Sequence, residues 1–479
     1  MIDAITSLYM PSYPSVLVYM LQTTEYQVKP YLKWYWRTQN FRNVMVRRQL
    51  ERTKAAKLLL LAIYLAALIE VLAGLVFIYL GHWHHVTGGV YFGFALIVAY
   101  PVVIAHLIAL PRAIGRALIV GPNQKRQIDA SEKQFKKFKG IKIAILGSYG
   151  KTSMKELLLA VLKEGKKVEA TPANKNVPIS HAQFINNIAG DEDILIIEYG
   201  EGRLGDIERF AKITHPTHAV ITGIAPAHLD HYKNMDEISE DILSIADYLK
   251  DKNVYANNES SLLTPHIKKS FHPYDSNGAL GWNVSQVKTS INGTTFNLTK
   301  GNKTLKLSTG LLGEHNIGPL SLAAALADQF GLSEEQIIDG VANTKPFEHR
   351  MNPYQLNGAW VVDDTYNGNI EGIKAGTKLL GALKAKRKWY VTPGLVDQGS
   401  DTKSIHMTIG KLIAEAKPDI VVLMKNSTTD NIVSGLKEAG YGGDIRIEPK
   451  PLDFYTNLGE FVAIGDLVMM QNDWPDNYI

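Results

Sequence analysis

No cysteine occurs anywhere in the sequence, which excludes structural disulfides and thiolate zinc sites. Low-complexity segments and internal repeats are also missing. A large excess of either charge is missing: a net +4 over 479 residues lacks the global signature of a polyanion-binding protein, although the charge is unevenly placed. A nucleic-acid arm in the basic, aromatic segment after residue 30 is a rival reading that the apolar runs following it disfavour, so no nucleic-acid partner is expected. The length allows two or three domains, each with its own core.

What is there, early in the chain, is a pair of long apolar runs. Residues 58–80 carry one charge, Glu70, over about 23 positions, enough to span a bilayer as a helix. Residues 88–110 form a second run after the short loop Gly81-His-Trp-His-His-Val-Thr87. Arg52, Lys54 and Lys57 on one flank and Arg112, Arg116, Lys125 and Arg126 on the other are basic, while the loop has neither Lys nor Arg. The positive-inside rule then places both flanks in the cytoplasm, giving a multi-pass cell-membrane protein with its remaining domains cytoplasmic. Glu70 at mid-span would be protonated, paired or turned toward another helix, and His106 is its candidate partner. His82, His84 and His85 read as a solvated loop, with metal binding as the rival. A cleaved signal peptide does not fit, because the apolar run starts far from the N-terminus.

Upstream, residues 9–21 are aromatic and apolar but include Pro11 and Pro14, which leaves open whether they cross a membrane, lie in its interface or pack on protein. The next segment mixes Tyr31, Trp34, Tyr35 and Trp36 with Lys33, Arg37, Arg42, Arg47, Arg48 and Arg52, a composition suited to a helix on an anionic leaflet.

Beyond a polar, basic linker, strands and helices alternate. The strands are expected at 142–146, 193–198, 218–222 and 254–256, then, after a pause near 343–347, at 360–363, 389–392, 420–424 and 467–470. The reading is an α/β protein: a membrane-surface region (1–56), a transmembrane hairpin (57–111), a linker (112–140), a parallel-sheet ATPase domain of the phosphate-loop type (141–343) and a smaller Rossmann-like domain (344–479).

The chemistry centres on Ile143-Ala-Ile-Leu-Gly-Ser-Tyr-Gly-Lys-Thr-Ser-Met-Lys-Glu156, an apolar strand, a glycine loop and a helix start. Backbone N–H groups and the helix dipole converge there on an anion site. Lys151 would add charge for the β/γ-phosphates and Thr152 a hydroxyl for Mg²⁺. Ile145 stands where the longer Walker pattern has glycine, so the form present is Gly-x-x-Gly-Lys-Thr. Glu198 ends an apolar strand facing the same crevice and, with Thr152, offers hard oxygen ligands for Mg²⁺, whereas His228 is on chemistry alone the less obvious ligand, with a core or capping histidine as the rival reading. Asp363 and Asp364 end another strand and could bond a ribose or fix an amine, while Arg350, at the domain junction, could reach a γ-phosphate on closure.

Seven ordered stretches resemble the Mur ligases, ATP-dependent amide-bond-forming enzymes of peptidoglycan synthesis. They are Gly147-Ser-Tyr-Gly-Lys-Thr-Ser153, Thr171-Pro-Ala-Asn-Lys-Asn-Val-Pro178, Glu198-Tyr-Gly-Glu-Gly-Arg-Leu-Gly-Asp-Ile207 and Ala227-His-Leu-Asp230, then Gly313-Glu-His-Asn316, His349-Arg-Met351 and Asp363-Asp-Thr-Tyr-Asn-Gly-Asn369. Asp-Asp-x-Tyr-Asn and Glu-x-Gly look most like the member that adds D-alanyl-D-alanine. The resemblance implies ATP and Mg²⁺ as cofactors, with Lys151, His228 and Arg350 catalytic. It implies nucleotide contacts from Gly147, Ser148, Gly150, Lys151, Thr152, Ser153, Asn316, Arg350 and Asp364, and metal contacts from Thr152, Glu198 and His228. A substrate carboxylate would take the γ-phosphoryl group to form an acyl phosphate, which an amine then attacks.

The sequence also departs from the family. Ile242 stands where a carbamylated lysine is expected, and the neighbouring Glu240 or Asp241 is a hypothetical substitute, rejected if replacing both leaves ATP turnover unchanged. Pro319 replaces a second asparagine after Asn316, and Gln471-Asn-Asp473 replaces Lys-Gly-Ser. The hairpin stands in place of the uridine-nucleotide-binding domain, which admits a lipid-linked precursor. The expected partners are therefore a membrane, a peptidoglycan precursor, and an amino acid or D-alanyl-D-alanine. The alternatives are a folylpolyglutamate-like ligase and a catalytically weakened nucleotide-binding scaffold.

Overall fold

The computed structural model describes the chain apart from residues 1, 25, 45–48, 109–119, 173–174, 227–231, 233, 367, 396–397, 399–400 and 473–479. It separates into two compact units, Met1–Lys125 and Arg126–Trp474.

The first unit is built on two antiparallel helices, Lys54–Trp83 and Thr87–Leu107. Glycine lets their backbones touch. A Cβ on Gly93 would strike the Gly74 carbonyl, one on Gly74 would fall 2.8 Å from the Gly93 oxygen, and one on Gly81 2.7 Å from the Val90 nitrogen. Leu58, Leu61, Leu68, Leu72 and Leu75 are exposed, and the most apolar windows of the two helices are only 11% and 22% buried. Length and composition suffice to cross a membrane, and protein covers little of either helix.

The expected Glu70–His106 pair is not formed. Both Glu70 carboxylate oxygens are buried without a hydrogen-bond partner among the described residues, and His106 Nδ1 instead lies 2.7 Å from the Val102 carbonyl. The reason is register: with Gly74 opposite Gly93, Glu70 faces a level about nine residues from His106, roughly 13 Å along the axis at 1.5 Å per residue. The histidine ring sits against Tyr35 and Trp36. His82, His84 and His85 are exposed and belong to no metal-holding cluster among the described residues.

The segment with Pro11 and Pro14 packs on protein. Helix Tyr13–Thr23 buries Tyr13, Val16, Leu17 and Met20 with Ile63, Ile104 and Ala105. Tyr13 and Tyr31 donate to the carbonyls of Pro101 (3.1 Å) and Ala105 (2.8 Å). Helix Val28–Arg37 buries Tyr31 and Tyr35 and exposes Lys29, Lys33, Trp36 and Arg37.

In the second unit the supposed linker is helical from Gly121 to Lys137, and Phe135 is buried beneath the sheet that follows. Strands β1 (Ile141–Leu146), β2 (Val168–Ala170), β3 (Ile194–Glu198), β4 (His218–Ile221), β5 (Val254–Asn257) and β6 (His272–Asp275) pair in parallel, in the order β6-β5-β4-β1-β3-β2. Ile143 and Ile145 of β1 enter one core and Ala144 and Leu146 the other, so both faces are covered and the strand reads as one apolar run. Four further strands, β7 (Gly278–Ala279), β8 (Trp282–Ser290), β9 (Gly293–Lys300) and β10 (Lys303–Thr309), extend the sheet in antiparallel fashion, an addition the alternating pattern did not predict.

A second sheet contains β11 (Asn352–Leu356), β12 (Ala359–Asp364), β13 (Arg387–Thr392), β14 (Ile420–Met424), β15 (Asp444–Glu448) and β16 (Asp466–Gln471), ordered β11-β12-β16-β13-β14-β15 with only β11 antiparallel. All eight strands expected from the sequence are present.

The glycine contact in the first unit generates a prediction. Gly93→Ile should force its helices apart and cost about 1–3 kcal/mol, read as a lower unfolding midpoint in detergent.

Candidate functional site

In the first sheet, the crossover direction reverses around β1, which lies between β3 and β4, so a crevice opens at its carboxyl end. The glycine loop sits in it. Gly147 (φ +134°) has no room for a side chain, since a Cβ would lie 2.5 Å from Thr222 Oγ1 and 2.8 Å from the Gly223 oxygen. Ser148 N–H donates to Gly223 O at 2.9 Å, and Gly150, at φ +74°, turns the chain into helix Lys151–Leu162. The Ser148 hydroxyl is buried with no hydrogen-bond partner among the described residues, as a cradle made for an added oxygen ligand requires.

Two buried ion pairs flank the loop. Lys151 Nζ donates to the Gly147 carbonyl (2.5 Å) and to Glu201 Oε2 (2.7 Å). Thr152 Oγ1 donates to Glu198 Oε1 at 3.0 Å, and Lys155 Nζ lies 3.2 Å from Glu198 Oε2 while donating to Thr171 O at 2.8 Å. Glu198 stands opposite Ile145 in the β1–β3 register, which brings it to the loop. His181 meets its carbonyl at 2.8 Å, and burial pushes the imidazole down to about 4, so it is neutral. Lys155 and Glu201 were not singled out in the sequence; Lys155 looked like one more polar position on an amphipathic helix, and Glu201 like part of a motif string.

The expected Mg²⁺ donors fit in part. The Thr152 hydroxyl and Glu198 carboxylate are adjacent hard oxygen donors, and Glu198 Oε2 and Glu201 Oε1 are buried without hydrogen-bond partners among the described residues. His228 lies outside the described residues, as does the rest of Ala227-His-Leu-Asp230. Among the described residues no three His, Asp or Glu side chains converge as a ready-made metal cluster. Nor does the hypothesis that Asp241 or Glu240 supplies a replacement metal carboxylate hold. Asp241 Oδ1 accepts from Gly205 N (2.7 Å) and Oδ2 from the Tyr232 hydroxyl (2.8 Å), Glu240 is exposed, and Ile242 is buried in the core. Asp241 is thus committed to holding the start of helix Asp206–Thr214.

A cavity of about 270 Å³ opens beside the loop, lined by Tyr149, Gly150 and Ser153, by Asn316 and Pro319, and by Arg350, Asp364 and Tyr366 of the second lobe. Asn316 is drawn to its own loop, donating to Leu312 O at 2.8 Å, and the Arg350 guanidinium stacks on Tyr366 at 4.4 Å. The two aspartates divide. Asp363 Oδ2 meets His349 Nδ1 at 2.7 Å, whereas Asp364 accepts from Met351 N (3.2 Å) and Gln471 Nε2 (2.7 Å) at the cavity wall. Gln471 is paired with Asp364 in register and is itself held by Tyr390 (2.8 Å), so the unusual Gln471 supports Asp364. Burial pushes the Asp364 carboxyl up to about 6, against the pull of Gln471, Met351 and Arg350.

Residues 145–327 match the family model of the Mur ligase middle domain. A UDP-N-acetylmuramoyl-tripeptide--D-alanyl-D-alanine ligase of Escherichia coli (strain K12) is 27% identical over 62% of this chain and 67% of its own length. The ligase of the same name from Buchnera aphidicola is 29% identical, over 57% of this chain and 60% of its own length, so the chain spans about three fifths of that relative. Among solved structures, the MurF ligase from Thermotoga maritima in complex with ADP superposes with a TM-score of 0.63 at 20% identity, over 73% of this chain and 80% of that one, a likeness of fold.

The geometry makes two predictions. Because the folded Asp364 value lies above the unfolded one, its favourable contribution is present at low pH and lost as pH rises through about 6. Between pH 5 and 7.5 the wild type should therefore lose about 1–3 kcal/mol that Asp364→Asn retains, read by chemical denaturation. Asp241→Ala should cost about 1–3 kcal/mol of stability in the same assay, leaving two N–H donors and one hydroxyl unpaired, without weakening nucleotide affinity.

Proposed function

We propose that the chain is a member of the Mur ligase family, an ATP-dependent ligase that joins an amine to a carboxylate of a peptidoglycan precursor through an acyl phosphate; the match of residues 145–327 to the middle-domain model of that family supports the reading. One observation carries the reading: Gly150 and Ser153 of the phosphate loop and Arg350 and Asp364 of the second lobe line the same cavity. An ATP held by the loop would have its γ-phosphate between lobes.

The residues divide the work. Backbone N–H groups of the loop and the start of helix Lys151–Leu162 bind phosphate oxygens. Lys151 neutralises charge as the substrate carboxylate oxygen bonds to γ-phosphorus and the bond to ADP breaks. Thr152 and Glu198, with His228 as the family resemblance implies, would hold Mg²⁺, which when bound offsets phosphate charge. Asp364 accepts from a ribose hydroxyl, and Arg350 leaves Tyr366 for the transferring phosphoryl group on lobe closure. The amine nitrogen then bonds to the acyl carbon, phosphate departs and the nitrogen loses its proton to solvent. The curated relatives described above are named UDP-N-acetylmuramoyl-tripeptide--D-alanyl-D-alanine ligases, which makes that dipeptide the first amine to test.

The two exposed apolar helices we read as a membrane hairpin. Their uncovered leucines and the exposed Lys29, Lys33, Trp36 and Arg37 on helix Val28–Arg37 support this reading. An anchored enzyme can meet a lipid-linked precursor at the cytoplasmic face, where a soluble one would take the UDP-linked form.

Protein in detergent with ATP, Mg²⁺, D-alanyl-D-alanine and either a UDP-linked or a lipid-linked muropeptide tests this. ADP release is expected only with the true acceptor, and Lys151→Met should lower it by a factor on the order of 10²–10³. ATP binding without turnover on any acceptor would leave the scaffold reading in its place.

A further inference from the structure

Both lysines beside the phosphate loop are already paired with carboxylates in the absence of a ligand. Lys151 is spent on Glu201 at 2.7 Å, and Lys155 lies 3.2 Å from Glu198. At the rim Glu156, 3.4 Å from Lys155, adds a third carboxylate against two ammonium groups. The Lys151–Glu201 pair is close to fully buried, with side-chain exposures of 13% and 1%, so water screens it little. Two of the three Lys151 N–H donors are committed to Gly147 O and Glu201 Oε2, so phosphate oxygens arriving at the third come up against the Glu201 carboxylate, whose other oxygen is buried without a hydrogen-bond partner among the described residues.

We propose that Glu201 is a positioning residue that makes nucleotide binding conditional on a divalent cation. In the ligand-free protein it holds Lys151 against the Gly147 carbonyl, extended toward the loop. When phosphate draws on Lys151, the charge of Glu201 is no longer fully compensated, because Lys155 is committed to Glu198, and it is tolerable only if a cation enters with the nucleotide. Glu201 then acts as a check against metal-free nucleotide, which could bind but not react. The inference rests on the loop being a nucleotide site.

The test is calorimetric titration of the full-length protein in detergent with ADP, in Mg²⁺ and in EDTA. Wild type should bind ADP far more tightly with Mg²⁺. Glu201→Gln, which keeps the shape and an acceptor for Lys151 but removes the charge, should tighten metal-free ADP binding on the order of tenfold and shrink the Mg²⁺ effect correspondingly. Structural damage would weaken binding, not strengthen it, so the sign separates the two. Combining Glu201→Gln with Lys151→Met should abolish the gain. Unchanged metal-free affinity in both Glu201→Gln and Glu201→Ala, with normal Mg²⁺-dependent binding, would overturn the inference alone. Failure of the wild type to bind ADP even with Mg²⁺ would overturn it together with the nucleotide reading.

Discussion

The site depends on the contact of Gly147 with Thr222 and Gly223. Only a residue without a Cβ lets the end of β1 turn that close to the end of β4, and the turn delivers the Ser148 N–H to the Gly223 carbonyl. With the loop pinned there, helix Lys151–Leu162 starts where its free N–H groups face the crevice. The parallel register of β1 with β3 then brings Glu198 level with Ile145, within reach of Thr152. A phosphate cradle, a cation ligand and a lysine are positioned by one packing constraint and two strand pairings.

The cost of that arrangement is a concentration of buried charge. Lys155 is fully buried and Glu201 nearly so, and each is tolerable because an opposite charge lies within hydrogen-bond or ion-pair distance. On the second lobe the same problem is met differently: Asp364 is raised toward neutrality by burial and held by an amide, Gln471, rather than by a cation. The cavity between the lobes is thus walled on one side by Gly150 and Ser153 of the phosphate loop and on the other by a carboxyl whose proton burial holds up to about pH 6.

The first unit follows a separate logic. Glycines at 74, 81 and 93 bring two helices into backbone contact, while their leucines remain uncovered, so close packing is achieved without a buried hydrophobic face of the usual kind. Aromatic side chains from the preceding helices cap the carbonyls near the Pro101 end. Glu70 keeps its carboxylate inside this unit without a partner among the described residues.

Local pattern determined a great deal. Runs such as Ile143 to Leu146 and Ile420 to Met424 are apolar because both faces of a parallel strand are buried, and that signal survives in one dimension. Glycine at 147 and 150 followed by Lys151 and Thr152 marked the cradle, since φ and helix polarity are local properties. The antiparallel extension was less visible: the turns at Asn292-Gly293 and Gly301-Asn302 are hairpin signals, but β8 is largely polar, and β9 and β10 bury one face only, through Phe296, Leu298, Leu305 and Leu307. Partnerships across the fold were decided by tertiary structure alone. Glu70 and His106 are both ionisable and in adjacent spans, yet helix register keeps them apart; Asp241 looked available and is committed to Gly205 and Tyr232; Glu201 looked incidental and holds Lys151. A side chain's chemistry is written in its residue type, but which charge it meets depends on distances set by strand order and helix packing, and these no local pattern encodes.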